Sequence, residues 1–529
     1  MTDSMIFRSP TPDVAIPDTD VTTFVLRHAD RLRDKTALLC GATGQRYTYG
    51  ELATAIRRTQ AGLQARGIGK GNVVGIVSPN TPDFAVAFFA LCAVGAIPST
   101  VNPIATAEEI GAQFADSEAI AVITIPALLE KCQTASRIAS TVREIFTFGA
   151  AEGATPFDSL QAFGEQVRPV RIDSATDVAV LPYSSGTSGI PKGVMLSHRN
   201  LVANLVQTQA GTPMLTIEDR VIAVLPFFHI YGMTVILAGA LAQGATLVTL
   251  PRFELEQFLR TMQEHGITYA NVVPPIVLAL AKHPIVDSFN LASLKTVFSG
   301  AAPLGEALAM ACSQRLGVRV RQGYGLTETS PVSHFHPIDS DFDEPSSVGP
   351  LVPNTEARIV DPLSGSDLQH GERGELWLRG PQVMLGYFNK PEATAACMTD
   401  DGWFKTGDVA IADDKGWFRI VDRVKELIKY KGLQVAPAEL EAVLLSHPNI
   451  ADAAVIPVQD DECGEIPKAY VVLRAPLTDT EVMAFVAERV SPYKKVRRVE
   501  FTDAIPKSPS GKILRRMLVD RERASQRQA

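Results

Sequence analysis

Ten consecutive residues have the makings of an anion cradle. Ser184-Ser185-Gly186-Thr187-Ser188-Gly189-Ile190-Pro191-Lys192-Gly193 mixes hydroxyls with glycines and closes on a lysine. Small residues let the backbone curl so that several N–H groups face one anion; the hydroxyls add donors and Lys192 a point charge. Such a loop suits a polyphosphate. It is not the Gly-Lys-Ser/Thr loop that opens a helix, because Gly193 follows Lys192. A flexible surface turn is the competing reading, and the two hydroxyl–glycine pairs with the Pro-Lys-Gly end speak against it. Four other reactive groups stand far apart in the chain. Taken singly, Glu328 reads as a capping acid, Asp408 as a turn residue, Lys512 as a solvated lysine and His229, between Phe228 and Ile230, as a core histidine.

The elements that must hold these groups follow from the apolar pattern. An apolar run at 178–181 leads into the loop; a second at 194–196 and a helix capped by Ser197 follow it. Residues 73–77, 221–225 and 245–250 read as strands, and the stretches from Pro82, at 235–242 and at 255–264 as helices. This alternation predicts parallel sheets covered by helices, an α/β fold. After about residue 345 shorter strands with turns take over, at 375–379 and 417–421. A helix then opens at Pro437, with Glu439, Leu440, Val443 and Leu444 in helical period.

The chain has 529 residues, 46% hydrophobic and 20% charged, with a net charge of −8. That composition excludes disordered, collagen-like and coiled-coil classes. The most apolar stretch, 84–101, is broken by Gly95 and Pro98. It reads as a buried helix running into a buried strand rather than a membrane span. From Lys494 onward the chain carries +7, leaving −15 elsewhere. No aromatic interleaving accompanies that basic segment, so a nucleic-acid partner is not expected. Six scattered cysteines without metal-ligand spacing, no leader-like start and no Ser-Lys-Leu ending lead to the expectation of a cytoplasmic protein with reduced thiols.

Five ordered blocks then carry a resemblance. They are the loop above; Gln322-Gly323-Tyr324-Gly325-Leu326-Thr327-Glu328; Gly402-Trp403-Phe404-Lys405-Thr406-Gly407-Asp408; Ile420-Val421-Asp422-Arg423-Val424-Lys425-Glu426-Leu427-Ile428-Lys429-Tyr430-Lys431-Gly432 with Gln434 and Pro437; and Pro506-Lys507-Ser508-Pro509-Ser510-Gly511-Lys512. Over nearly its whole length the chain resembles the adenylate-forming enzymes, closest to their 4-coumarate–CoA ligase branch. The resemblance implies a large N-terminal domain (1–423) of parallel sheets flanked by helices with a small β-barrel-like part. A smaller, mobile α+β domain (424–529) would follow it. It also implies two steps: a carboxylic acid and ATP give acyl-AMP and pyrophosphate, then a thiol displaces AMP.

The resemblance also assigns roles. Ser184, Ser185, Gly186, Thr187, Ser188 and Lys192 would hold phosphates. Gln322, Gly323, Tyr324, Thr327, Asp408 and Arg423 would hold the nucleoside, with Tyr324 stacked on adenine and Asp408 and Arg423 on the ribose. Glu328 and Thr187 would ligate Mg²⁺. Lys512 would be the catalytic lysine, His229 would gate the carboxylate, Lys429 and Gln434 would approach the adenylate, and Lys425 would be the hinge. Arg252, Lys431 and Gly432 would serve coenzyme A. The acyl pocket would be lined by Ile230, Tyr231, Thr234, Val235, Asn271, Phe298, Gly300, Ala301, Gly323, Gly325, Pro331, Val332 and Phe335.

Gly300, Gly323 and Gly325 are expected to leave room for a flat ring or an extended chain. Phe298 and Val235 depart from plant coumarate ligases, which carry Lys and sometimes Ser there, and make the pocket more apolar. The expected acid is 4-coumarate or a related hydroxycinnamate, with cinnamate or a medium- or long-chain fatty acid as the alternative. A separate carrier protein could replace CoA as acceptor. Luciferase-like oxidation is disfavoured, and a degenerate nucleotide or acyl-CoA sensor is the non-enzyme reading.

Overall fold

The computed structural model describes residues 5–184, 191–210, 214–337, 344, 346–431, 433–460, 462–508 and 511–528. Two sheets dominate. One is all parallel: Ile97–Val101, Val73–Val77, Ala121–Thr124, Glu144–Thr147 and Thr155–Pro156 in spatial order. The other has eight strands. Thr296–Ser299 lies between Arg319–Gly325 and Tyr269–Val272, and Arg220–Ala223, Thr246–Thr249 and Thr36–Cys40 continue the parallel run. Antiparallel strands Val332–Phe335 and Arg46–Thr48 close its two edges.

The run at 84–101 is a helix and strand, as its punctuation predicts. Thr81 caps the Pro82–Ala93 helix by accepting from Phe84 N, and Pro82 sits in its first turn. Phe84, Phe88 and Phe89 are fully buried in the main core. No helix among the described residues is long and apolar enough to cross a membrane. Cys40, Cys92, Cys132 and Cys312 are buried free thiols.

The barrel-like part is a curled antiparallel sheet of Phe7–Arg8, Glu356–Val360, Gly374–Arg379, Phe404–Ala412 and Phe418–Arg423. A last sheet joins Leu433–Val435, Ile428–Tyr430, Gly464–Leu473 and Ile450–Asp460, with Arg498–Phe501 parallel to Gly464–Leu473. From Ile428 on the chain builds its own apolar core, including Leu440, Val455, Val471 and Val486. The basic segment is largely neutralised within the fold. Lys494 pairs with Glu439, Lys507 with Asp452, Arg521 with Glu500, and Arg515 with Glu426 and Glu441.

Candidate active site

One cavity of about 1720 Å³ runs between the eight-stranded sheet, the curled sheet and the C-terminal part. At one end the short strand Tyr183–Ser184 brings Ser184 against Glu328, which follows the strand Arg319–Gly325. Ser184 Oγ donates to Glu328 Oε1 at 2.7 Å, and Tyr387 Oη donates to the same oxygen at 2.9 Å. Lys192 opens the next strand, its ammonium 5.1 Å from the centre of the Tyr387 ring. Ser185, Gly186, Thr187 and Ser188 lie outside the described residues, as does Gly432.

Next along the cavity, Asp408 and Arg423 are register partners on adjacent strands of the curled sheet. Their side chains pair at 3.2 Å, and Tyr324 Oη donates to the other Asp408 oxygen at 2.6 Å. Burial opposes the Arg423 charge, and the Asp408 carboxylate together with Glu426, Tyr324 and Glu328 outweighs it, so its pKa is raised. A carboxylate has about four lone-pair sites, so Asp408 keeps acceptor capacity for a diol.

Lys512 reaches this point from the C-terminal part. Its backbone N–H is held by Ser508 Oγ at 3.1 Å. Gly511, with φ +79°, packs so closely on Val273 and Pro275 that a Cβ there would stand 3.2 Å and 3.3 Å from them. The Lys512 ammonium has no carboxylate in ion-pairing distance among the described residues. Burial lowers its pKa, and Arg423 adds repulsion.

His229 faces the same space. Its Nδ1 accepts from Tyr231 N at 3.3 Å, which leaves the proton on Nε2. Enclosure, and then the Lys512 charge, bring its pKa down to about 4. Burial also holds His198 neutral, down to about 4, and His334, down to about 3.

These neutral imidazoles predict acid sensitivity. An unfolded histidine takes its proton near pH 6.5, whereas the folded ones refuse it until about pH 4 or 3. The stabilisation is complete above 6.5 and is lost as pH falls toward 4, on the order of 3 kcal/mol per fully buried histidine. Calorimetric Tm should therefore fall steadily across that window at fixed ionic strength. A flat Tm would contradict the neutral state.

The far end of the cavity is lined by Ile230, Tyr231, Thr234, Val235, Asn271, Phe298, Gly300, Ala301, Gly323, Gly325, Pro331, Val332 and Phe335. The helix expected at 235–242 is present; it begins earlier, as a π-helix over Tyr231–Ala238, and continues as an α-helix over Gly239–Ala242. The wide turn brings Gly232 onto backbone, where a Cβ would stand 2.1 Å from Pro226 O. Asn271 Oδ1 accepts from Tyr231 Oη at 3.4 Å, and Phe298 O lies 3.3 Å from the same hydroxyl. That leaves Asn271 Nδ2 without an acceptor among the described residues.

The glycines act differently from the expectation. A Cβ on Gly300 would meet the Tyr231 ring at 3.0 Å, one on Gly323 the Phe298 ring at 2.9 Å, and one on Gly325 Pro331 O at 1.9 Å. The protein's own rings and backbone take up that space. Ala301 has φ +68°, a left-handed conformation at the cavity wall.

Gln322 and Thr327 also line the cavity. Lys429, Gln434, Lys431, Lys425 and Arg252 do not: all five are exposed. Lys429 and Gln434 face each other across a hairpin. The sequence reading missed Tyr269, Tyr387, Glu426 and Arg515, which also line the cavity. Tyr269 was legible, because strand alternation puts it on the face of Asn271. Glu426 stands inside the Ile420-to-Gly432 block without a role assigned to it, and Tyr387 and Arg515 come from elements with no chemical signature of their own.

With this geometry in hand, the comparisons with known proteins are specific. Residues 25–388 match the AMP-binding enzyme family, and residues 439–512 match the AMP-binding enzyme C-terminal domain. The chain is 45% identical to 4-coumarate–CoA ligase 5 of Oryza sativa subsp. japonica, over 98% of this chain and 97% of that one. It is 41% identical to 4-coumarate–CoA ligase 1 of Petroselinum crispum, over 98% and 96%. ATP-bound MatB from Rhodopseudomonas palustris superposes with a TM-score of 0.85 at 29% identity, covering 94% of this chain and 98% of that one. The anthranilate CoA ligase AuaEII, solved with anthranoyl-AMP, shares the fold at a TM-score of 0.88 and 24% identity, over 96% and 98%. The chain belongs to the AMP-binding enzyme family and is an ATP-dependent, adenylate-forming acid–CoA ligase.

Proposed function

We propose that the enzyme converts 4-coumarate or a closely related hydroxycinnamate to its CoA thioester through an acyl-adenylate. The observation that carries the choice of acid is Asn271. Its carboxamide is oriented by Tyr231, and its Nδ2 is left to donate to a phenol oxygen at the apolar end of the cavity. The two plant relatives named above bear the same substrate in their names.

In the first half-reaction the acid's carboxylate oxygen bonds to the α-phosphorus of ATP while the bond to pyrophosphate breaks. Two anions must meet, so cations placed in advance contribute most. The Lys512 ammonium bridges the carboxylate and the α-phosphate. Lys192 and the 184–188 loop hold the outer phosphates, Asp408 and Arg423 the ribose, and the Tyr324 ring the adenine. Neutral His229 contacts the carboxylate.

Glu328, with Thr187, would hold Mg²⁺. Among the described residues no group of three or more His, Cys, Asp or Glu is arranged to hold a metal ion. Both hydroxyls donate to Oε1, which leaves Glu328 Oε2 for a cation that keeps much of its water and binds phosphates. Bound there, Mg²⁺ would neutralise phosphate charge.

In the second half-reaction the CoA sulfur bonds to the acyl carbon, AMP leaves and the thiol proton is released. We assign the 1–423 and 424–529 parts to separate domains with Lys425 as pivot. Rotation would bring the now exposed Lys429, Gln434 and Lys431 toward the cavity, together with Gly432, and Arg252 toward CoA phosphate.

The test is CoA-dependent AMP release with 4-coumarate, caffeate, cinnamate, benzoate, octanoate and palmitate. We expect the hydroxycinnamates to lead. Asn271→Leu should cut kcat/KM for 4-coumarate by about tenfold and leave cinnamate unchanged, since only the phenol loses a partner. A lead for octanoate or palmitate would instead favour the fatty-acid reading that Phe298 supports. Product formed only with an added carrier protein would displace CoA as acceptor.

A further inference from the structure

The strand Phe418–Arg423 ends on two charged side chains that leave it in opposite directions. Arg423 turns to Asp408. Asp422 turns away and is 6% exposed. Its Oδ1 accepts from Arg423 N at 2.7 Å and its Oδ2 from Ala438 N at 2.9 Å.

Ala438 lies in the first turn of the Pro437–Ser446 helix, which has no side-chain cap from its own N-cap residue, Ala436. Pro437 brings no N–H, and Glu439, the acid of the first turn, is paired with Lys494 at 2.5 Å. The cap comes from a carboxylate sixteen residues earlier, on the other side of Lys425. An N-terminal turn with open N–H groups favours such a carboxylate. Burial raises the Asp422 pKa, and Arg515, paired with Glu441 at 2.6 Å, works against that rise.

The helix capped in this way sits against the large part of the chain. Its Ala442 Cβ lies 3.7 Å from where a Cβ on Gly305 would stand. The Lys512 turn, in the same C-terminal part, rests on Val273 and Pro275. The Asp422 carboxylate therefore ties the strand before Lys425 to the element that moves with Lys512.

We propose that Asp422 is a positioning residue: by capping the Pro437–Ser446 helix from the neighbouring strand, it holds the C-terminal part in the orientation that presents Lys512 to the cavity. It favours the adenylation step and has no part in the thiol step. This rests on the adenylation reading of the cavity and is independent of which acid is used.

The full chain, with Asp422→Ala and Asp422→Asn variants, is tested on two half-reactions. One is ATP–pyrophosphate exchange with the best acid of the panel; the other is CoA ester formation from preformed acyl-adenylate. Asp422→Ala should lose about tenfold in exchange, the size of one buried cap, with thioester formation unchanged or faster. Asp422→Asn keeps one acceptor oxygen for two N–H groups, so its loss should be smaller and equally selective. Equal losses in both half-reactions, or exchange unchanged, would overturn the proposal. If Asp422→Ala does not fold, the selectivity of Asp422→Asn decides. Absence of exchange in the wild type would instead overturn the adenylation reading, so the two failures are distinguishable.

Discussion

Lys512→Ala should lose roughly 10²–10³-fold in acyl-adenylate formation, about 3–4 kcal/mol of transition-state stabilisation. The reason lies in its surroundings. The ammonium is half-buried beside Arg423 and His229, with no ion-pair partner among the described residues; burial, then Arg423, lower its pKa, and Asp408 and Glu426 offset part of that. A cation held there is unfavourable until an anion arrives, so the gain on meeting the reacting carboxylate and phosphate is large. The same argument predicts that the substitution costs the fold nothing: Tm should stay level or rise, since a partly desolvated charge with no ion-pair partner among the described residues is removed. CoA ester formation from preformed acyl-adenylate should keep near wild-type rates, because the phosphoryl step has been passed. Pyrophosphate exchange, the thioester assay and calorimetry on one preparation check all three. A falling Tm, or equal loss in both half-reactions, would make Lys512 a structural residue.

Glu328→Gln should reduce kcat/KM for ATP about 100-fold, mainly through KM, and raise the Mg²⁺ concentration needed for half-maximal rate. Both hydroxyls that touch Glu328, those of Ser184 and Tyr387, donate to the same oxygen. A glutamine oxygen can accept both, so the substitution removes the charge and keeps the contacts. Tyr387 remains a donor at any working pH, because burial and the neighbouring carboxylate raise its pKa. Tm should therefore change little. An initial-rate grid in ATP and Mg²⁺ checks this; an unchanged Mg²⁺ requirement would remove Glu328 from the cation site.

Much of the site could be read from the chain because its parts are local. A phosphate loop needs small residues and hydroxyls in succession. The Thr81 cap, the buried 84–101 run and the Pro437 helix start are written in neighbouring residues, and the structure has each of them. The glycine reading went astray for the opposite reason. Gly300, Gly323 and Gly325 were expected to open space, yet Tyr231, Phe298 and Pro331, distant in sequence or folded back, occupy it.

By itself, then, the sequence determined the chemistry and the order of the elements, since both depend on residue type and near spacing. Only the tertiary structure decided which groups meet. Ser184 and Tyr387 reach Glu328 across 144 and 59 residues. Tyr269 shares a wall with Asn271, and Asp422 caps a helix that begins beyond Lys425. The structure also decided which face of the C-terminal part looks inward, Lys512 rather than Lys429 and Gln434. Such a choice rests on a few hydrogen bonds and contacts between bodies that could sit otherwise, a balance of a few kcal/mol that no local pattern encodes.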